Sequence, residues 1–260
     1  MIDELGDPRI VVVDPEQHCR IARSAAGTSL QTATILGHDD PAAYDRETFT
    51  VVRDVVGQIQ EVQEHKDELD EVWPSDGPRI LMIERGPSPP FYRSEQSEVQ
   101  SSGDERRSIP NFSDIYQSVQ HSHRAALAVI PETLPLTRQF ALFATADIIV
   151  AQHGAALANM IWARPRATVI EIYPDDVRID FFRDLARCLG LRHRRFRQKD
   201  SHAAIDPDEL AAFVDEAVDH RYRSIESHLR RISFRALRRT SAPRARVRSF
   251  SRKVMERIDR

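Results

Sequence analysis

Between Arg79 and His220 the chain alternates short apolar runs with amphipathic stretches, and that alternation restricts the fold more than any other feature. The apolar runs are Ile80 to Ile83, Leu127 to Ile130, Ile148 to Ala151 and Thr168 to Tyr173. Short runs with little polar alternation fit strands covered on both faces, as in a parallel sheet layered between helices. Helices are predicted at about Ser113 to His121, Leu136 to Thr145, a short one from near Ala155, and Val177 to Leu189 stopped by Gly190. A strand around Leu191 to Phe196 and a helix from Pro207 into His220 complete an α/β layer.

Upstream, Arg9 to Val13 is a short strand candidate ended by Asp14-Pro15. From Tyr44 to Val72 the residues Phe49, Val52, Val56, Ile59, Val62, Leu69 and Val72 recur at helical spacing, which predicts one long amphipathic helix. Pro74 to Pro78 breaks it and opens a new domain. Pro87 to Gly103, rich in Ser, Pro and Gln, predicts a long loop. The expected organisation is therefore residues 1–75, then an α/β domain over 76–220, then a tail over 221–260.

That tail is electrostatically distinct. The formal charge of the whole chain is -3, yet residues 221–260 carry fourteen basic and three acidic side chains, leaving about -14 on the rest. Ile232, Phe234, Leu237, Val247, Phe250, Val254 and Ile258 are set among the arginines, a pattern of two amphipathic helices hinged at Ser241-Ala242-Pro243 or of a solvated tail. An anionic membrane surface suits it better than nucleic acid, because stacking aromatics are sparse. Cys19 and Cys188 lie far apart with no metal-ligand spacing, consistent with free thiols in a reducing compartment. No secretory signal and no apolar run of membrane-spanning length are visible, so a cytoplasmic or peripheral protein is expected at the inner face of the plasma membrane.

The densest chemical signal is Ile148 to Met160, an apolar strand running into His153-Gly154-Ala155-Ala156 and then a helix. Ligands of open α/β sheets bind where such strands end. Small residues admit a ligand to the backbone, and a helix start offers N–H groups to phosphate. A simple turn would carry the same residues. Glu171 stands in the apolar strand Thr168 to Tyr173, where a buried carboxylate needs a partner. Ribose hydroxyls, an ion pair with Arg164 or Arg166, or an exposed edge would each satisfy it. Arg85 follows the first strand, and Arg106-Arg107-Ser108-Ile109-Pro110-Asn111 precedes a helix. Guanidinium groups there can neutralise a diphosphate leaving group or simply face solvent.

The order of these motifs resembles the family 61 glycosyltransferases, which include plant xylosyltransferases, animal N-acetylglucosaminyltransferases and bacterial capsular polysaccharide enzymes. The matching stretch starts at Ile80 to Arg85 and passes through Arg107 to Asn111. It continues through Val129 to Leu134, Gln139 to Phe143, Ala146 to Val150 and the His153-Gly154-Ala155 turn, to Asn159-Met160 and Val169 to Glu171. The resemblance implies a GT-B-like architecture, with a Rossmann-type parallel sheet as the donor-binding domain, a partial N-terminal domain and a basic helical tail. It implies transfer with inversion from a nucleotide sugar, which suits a glycan or glycoconjugate acceptor in cell-surface polysaccharide synthesis; the strand-end position of His153-Gly154 and the carboxylate of Glu171 predict a UDP-linked donor bound without a metal. Arg85, Arg107 and Asn111 would face the phosphates or an interdomain cleft. His153, Gly154, Ala155 and Asn159 would belong to the donor site, and Glu171 would serve the nucleoside or the fold beneath it.

Ala156, Ala158 and Phe112 depart from the family pattern, and the aromatic-His-Trp stretch of its N-terminal domain is not found, so Met1 to Val72 is expected to be the last part of that domain. Asp14, Glu16 and His18 are poor substitutes for an acceptor base, and no base is nominated. A truncated nucleotide-sugar-binding module needing a partner chain is the alternative. Asp206-Pro207-Asp208 has the form of a metal-binding DxD, but an Asp before Pro with acids in the next turn is the ordinary start of a helix.

Overall fold

The computed structural model describes residues 46–73, 77–87 and 103–220. The strand candidate at Arg9 to Val13, the acids and histidine at 14–18, most of the loop after Pro87 and the basic tail lie outside these residues. The chain divides into two compact units, Met1–Val214 and Asp215–Arg260.

Within the first unit, the elements in order are α1 (Arg46–Gly57), α2 (Gln60–Val72), β1 (Ile80–Ile83), α3 (Gly103–Arg106), α4 (Phe112–Ser122), β2 (Ala126–Val129) and α5 (Leu136–Thr145). These are followed by β3 (Ile148–Gln152), a 3-10 helix (Ala155–Trp162), β4 (Thr168–Pro174), α6 (Phe181–Leu189) and β5 (Arg192–Gln198). A further helix, α7, runs over 207–220. All five strands are parallel, in the order β2-β1-β3-β4-β5. β1 and β3 are buried at every residue, as their unbroken apolar runs require.

The single helix expected over Tyr44 to Val72 is two. Gln58 and Ile59 donate to the carbonyls of Val55 and Val56, closing a tight turn, and Ile59 is extended (φ -64, ψ 127) before α2 begins. Gly57 is the cause legible in sequence, since glycine inside a helix costs about 1 kcal/mol relative to alanine. The apolar spacing continues across the break because both helices pack on the same core, with Phe49, Val56, Val62 and Leu69 buried alongside Phe140 and Phe143 of α5.

One other boundary moves for a definable reason. The helix expected from Val177 starts at Phe181, because Val177 closes a turn onto the Pro174 carbonyl and the carboxylate of Asp180 is engaged by Arg183 and Arg195 instead of capping. It ends where expected: Gly190 is left-handed (φ 71), and Leu191 donates back to the Ala186 carbonyl. The segment from Ala155 is a 3-10 helix over its full eight residues.

Candidate functional site

In a sheet of order 2-1-3-4-5 the chain leaves β1 in one direction and β3 in the other, so a crevice opens beyond their C-terminal ends. Arg85 lies at that point, two residues past β1. Its Nε and Nη2 donate to the Gly103 carbonyl at 3.1 and 2.9 Å, and its Nη1 donates to the His153 carbonyl at 3.4 Å. One guanidinium thereby ties the start of α3 to the end of β3. Burial lowers its pKa, as do the nearby charges of Arg107 and Arg106, against the opposing pull of Glu132 and Asp104. Gly154 leaves room for this arrangement. Its backbone is extended (φ 166), open to any residue, but a Cβ there would overlap the Arg85 guanidinium.

Beside the crevice, Glu171 of β4 is fully buried and surrounded by basic groups. His153 Nδ1 is 2.6 Å from Glu171 Oε1. Across the β4–β5 pairing, Arg195 stands in register with Glu171 and donates from Nε to Oε2 at 3.3 Å. His193 Nε2 approaches Oε2 to 2.9 Å, off the hydrogen-bonding line. Burial by itself raises the Glu171 pKa; the His153 hydrogen bond, the close approach of His193 and the charges of both outweigh it and bring the group down to about 2. Arg195 continues the chain of charge, donating to Asp180 at 2.6 Å and lying 4.1 Å over the Tyr173 ring. His153 is held between the edges of Tyr173 and Phe182.

Comparison with known proteins matches residues 41–170 to the model of glycosyltransferase 61. The chain belongs to the glycosyltransferase 61 family. A stretch of 69 residues is 35% identical to the EGF domain-specific O-linked N-acetylglucosamine transferase of Drosophila melanogaster, covering 26% of this chain and 13% of that protein. The parallel sheet flanked by helices is the Rossmann-like α/β architecture of a GT-B-like glycosyltransferase.

In this family 61 chain the expected site residues separate into two groups. Arg85, His153 and Gly154 meet at the end of β3, and Ala155 is exposed there as the first residue of the 3-10 helix. Asn111 is occupied elsewhere: its Nδ2 donates to the Ile205 carbonyl at 2.7 Å and its Oδ1 accepts from the Ile205 N–H at 3.0 Å, fastening α4 to the segment before α7. Asn159 accepts from Trp162 Nε1 and donates to Gln139. Glu171 does not pair with Arg164, which forms an ion pair with Asp147 at the opposite end of β3. Asp206 caps α7, its Oδ1 accepting from the N–H groups of Asp208 and Glu209 at 2.9 and 3.1 Å, so the DxD acts as a helix start.

Arg107 is different. Burial lowers its pKa, then the charge of Arg106, while Asp176 and Tyr173 pull the other way. Its Nε is buried with no hydrogen-bond partner among the described residues. Gln152 Nε2 donates to Ser108, Ser201 and Gln198, while its Oε1 is buried with no partner among the described residues. Gln152, Arg85, Ser108 and Asp104 line a cavity of about 150 Å³. That volume admits one ring or one phosphate, and a larger ligand would extend beyond it.

Sequence reasoning missed Gln152, Gln198, His193, Arg195 and Asp180. The signal for two of them was present: a strand reading Arg192-His193-Arg194-Arg195 beside a strand with one buried acid.

Proposed function

We propose that this chain carries the donor half of an inverting glycosyltransferase, binding a UDP-linked sugar without a metal beyond the ends of β1 and β3. The observation that supports this reading is Arg107, a partly buried cation whose Nε has no hydrogen-bond partner among the described residues, next in the chain to Ser108 of the cavity wall. A leaving diphosphate develops negative charge, and a guanidinium already positioned there stabilises it in the transition state. Arg85 shapes the wall of the same site through the Gly103 and His153 carbonyls. Glu171 holds His153 by Nδ1 and so fixes the ring at the end of β3.

In the inverting reaction the acceptor hydroxyl attacks the anomeric carbon from the face opposite the diphosphate. The new glycosidic bond forms as the bond to the nucleotide breaks, and the hydroxyl proton passes to a base. The acceptor is read as a glycan or glycoconjugate of cell-surface polysaccharide synthesis, with the protein on the cytoplasmic side. The fly relative's printed name, an N-acetylglucosamine transferase, supports a hexosamine donor as the first to try.

Calorimetric titration of the folded protein with UDP, GDP, ADP and CDP in the presence of a chelator tests the reading. Saturable heat with UDP is expected, and no heat with any of the four would remove it. Binding without turnover of UDP-N-acetylglucosamine would favour a module that depends on a partner chain. The basic segment 221–260, outside the described residues, is proposed to bind anionic membranes. Truncation after Asp219 should abolish salt-sensitive sedimentation with phosphatidylserine vesicles and leave UDP binding intact.

A further inference from the structure

A second cavity, of about 410 Å³, opens at the other end of the sheet, between α1, α2, the end of α5 and the chain entering β4. Such a volume lies in the usual range for small-molecule sites. Its walls are chemically lopsided. Phe140 and Trp162 form an aromatic side, with ring centroids 4.0 Å apart, and Trp162 Nε1 is engaged by Asn159, so the indole presents hydrocarbon to the cavity. Arg53 and Lys66 supply two cations. Arg53 donates one Nη1 bond to the Ala163 carbonyl at 3.1 Å, which fixes the guanidinium at the wall. A guanidinium has five N–H donors, and no carboxylate among the described residues pairs with the remainder. Lys66 has no ion-pair partner among the described residues either, and burial lowers its pKa. Arg164 also lines the cavity, but its charge is met by Asp147, and Asp54 is exposed at the rim.

Partly buried cations without partners lose hydration and gain nothing in return, a debt that an incoming anion would cancel. The aromatic wall favours a ligand with an apolar face, and the C–H face of a pyranose ring is such a surface. We infer that this cavity binds an anionic sugar, with its phosphate or carboxylate held by Arg53 and Lys66 and its ring laid against Trp162. The site is independent of the nucleotide site, lying at the N-terminal rather than the C-terminal ends of β3 and β4.

The test uses the full chain titrated separately with glucose 1-phosphate, glucuronate, inorganic phosphate and glucose, with ligand-observed NMR as readout. Saturable binding of glucose 1-phosphate or glucuronate is expected, at least tenfold tighter than glucose, and the anion that binds identifies phosphate or carboxylate as the natural group. Lys66→Met and Arg53→Gln should each weaken that binding at least tenfold and leave the UDP titration unchanged. Three results would overturn the proposal: no saturation with either sugar anion by protein that unfolds cooperatively, wild-type affinity in both variants, or inorganic phosphate binding as tightly as glucose 1-phosphate. Because UDP is titrated on the same preparations, failure at either site is seen separately from failure at the other.

Discussion

The two sides of the β3 terminus make opposite use of charge. On the β4–β5 side, Glu171 sits among His153, His193 and Arg195, and Arg195 passes on to Asp180, so charge is met by charge within the fold even though His193 Nε2 lies off the hydrogen-bonding line. On the β1 side, Arg107 and Gln152 each keep a buried polar atom with no partner of any kind among the described residues. A satisfied network fixes a shape, whereas an unsatisfied one marks where something else completes the valence. The proposed donor site is therefore read on the β1 side, with the β4–β5 cluster as the wall that holds His153 by Nδ1.

Removing the centre of the satisfied side has the largest expected effect. Glu171→Gln leaves a buried basic cluster without its carboxylate and should cost about 3–5 kcal/mol in urea denaturation at pH 7. The same residue sets an acid limit. Its folded pKa of about 2 lies below its unfolded value near ~4.3. Its contribution, about 3 kcal/mol, is thus complete above the unfolded value and lost as pH falls from there towards the folded one. Denaturation curves at pH 7 and pH 3 should show about 2 kcal/mol of that loss in the wild type, because pH 3 still lies above the folded pKa, and its absence in Glu171→Gln; parallel curves would show that the cluster is no such scaffold.

Gly154→Ala comes next. The new methyl displaces the Arg85 guanidinium from the His153 and Gly103 carbonyls, at a cost of about 1–3 kcal/mol read from the thermal midpoint. Since Arg85 shapes the crevice, UDP affinity should fall as well. The smallest effect on stability belongs to Arg107→Gln, within about 0.5 kcal/mol of wild type, because its charge has no ion-pair partner among the described residues to lose. UDP affinity should nevertheless drop at least tenfold by calorimetry. If Arg107→Gln destabilises the fold as much as Gly154→Ala does, the contrast between the two sides collapses.

The strands were legible because a sheet buried on both faces leaves an apolar run with almost no choice: Ile80 to Ile83 and Ile148 onward are strands where the sequence places them. Helix details were less so. The period of α1 and α2 reads through Gly57 because one core receives both helices, and only backbone hydrogen bonds distinguish a break from a bend. At the site, His153, Gly154 and Arg85 were visible from their place at strand ends. The fate of Asn111 was not, because its partner Ile205 is 94 residues away and pairs through backbone atoms, which carry no sequence signature. Glu171 announced that it needed a partner without naming one; the strand register supplied Arg195.

β5 has a consequence for how molecules of this protein meet one another. It is the edge of the described sheet and carries Arg192, Arg194, Arg195 and Arg197 within seven residues. An exposed edge is a template on which a second copy can add its own strand. Here Arg195 is already committed to Glu171 and Asp180 and Arg197 to Asp175, so an added strand would have to face guanidinium groups held by acids of their own chain and would gain no new ion pair from them, which leaves edge-to-edge growth with little to drive it.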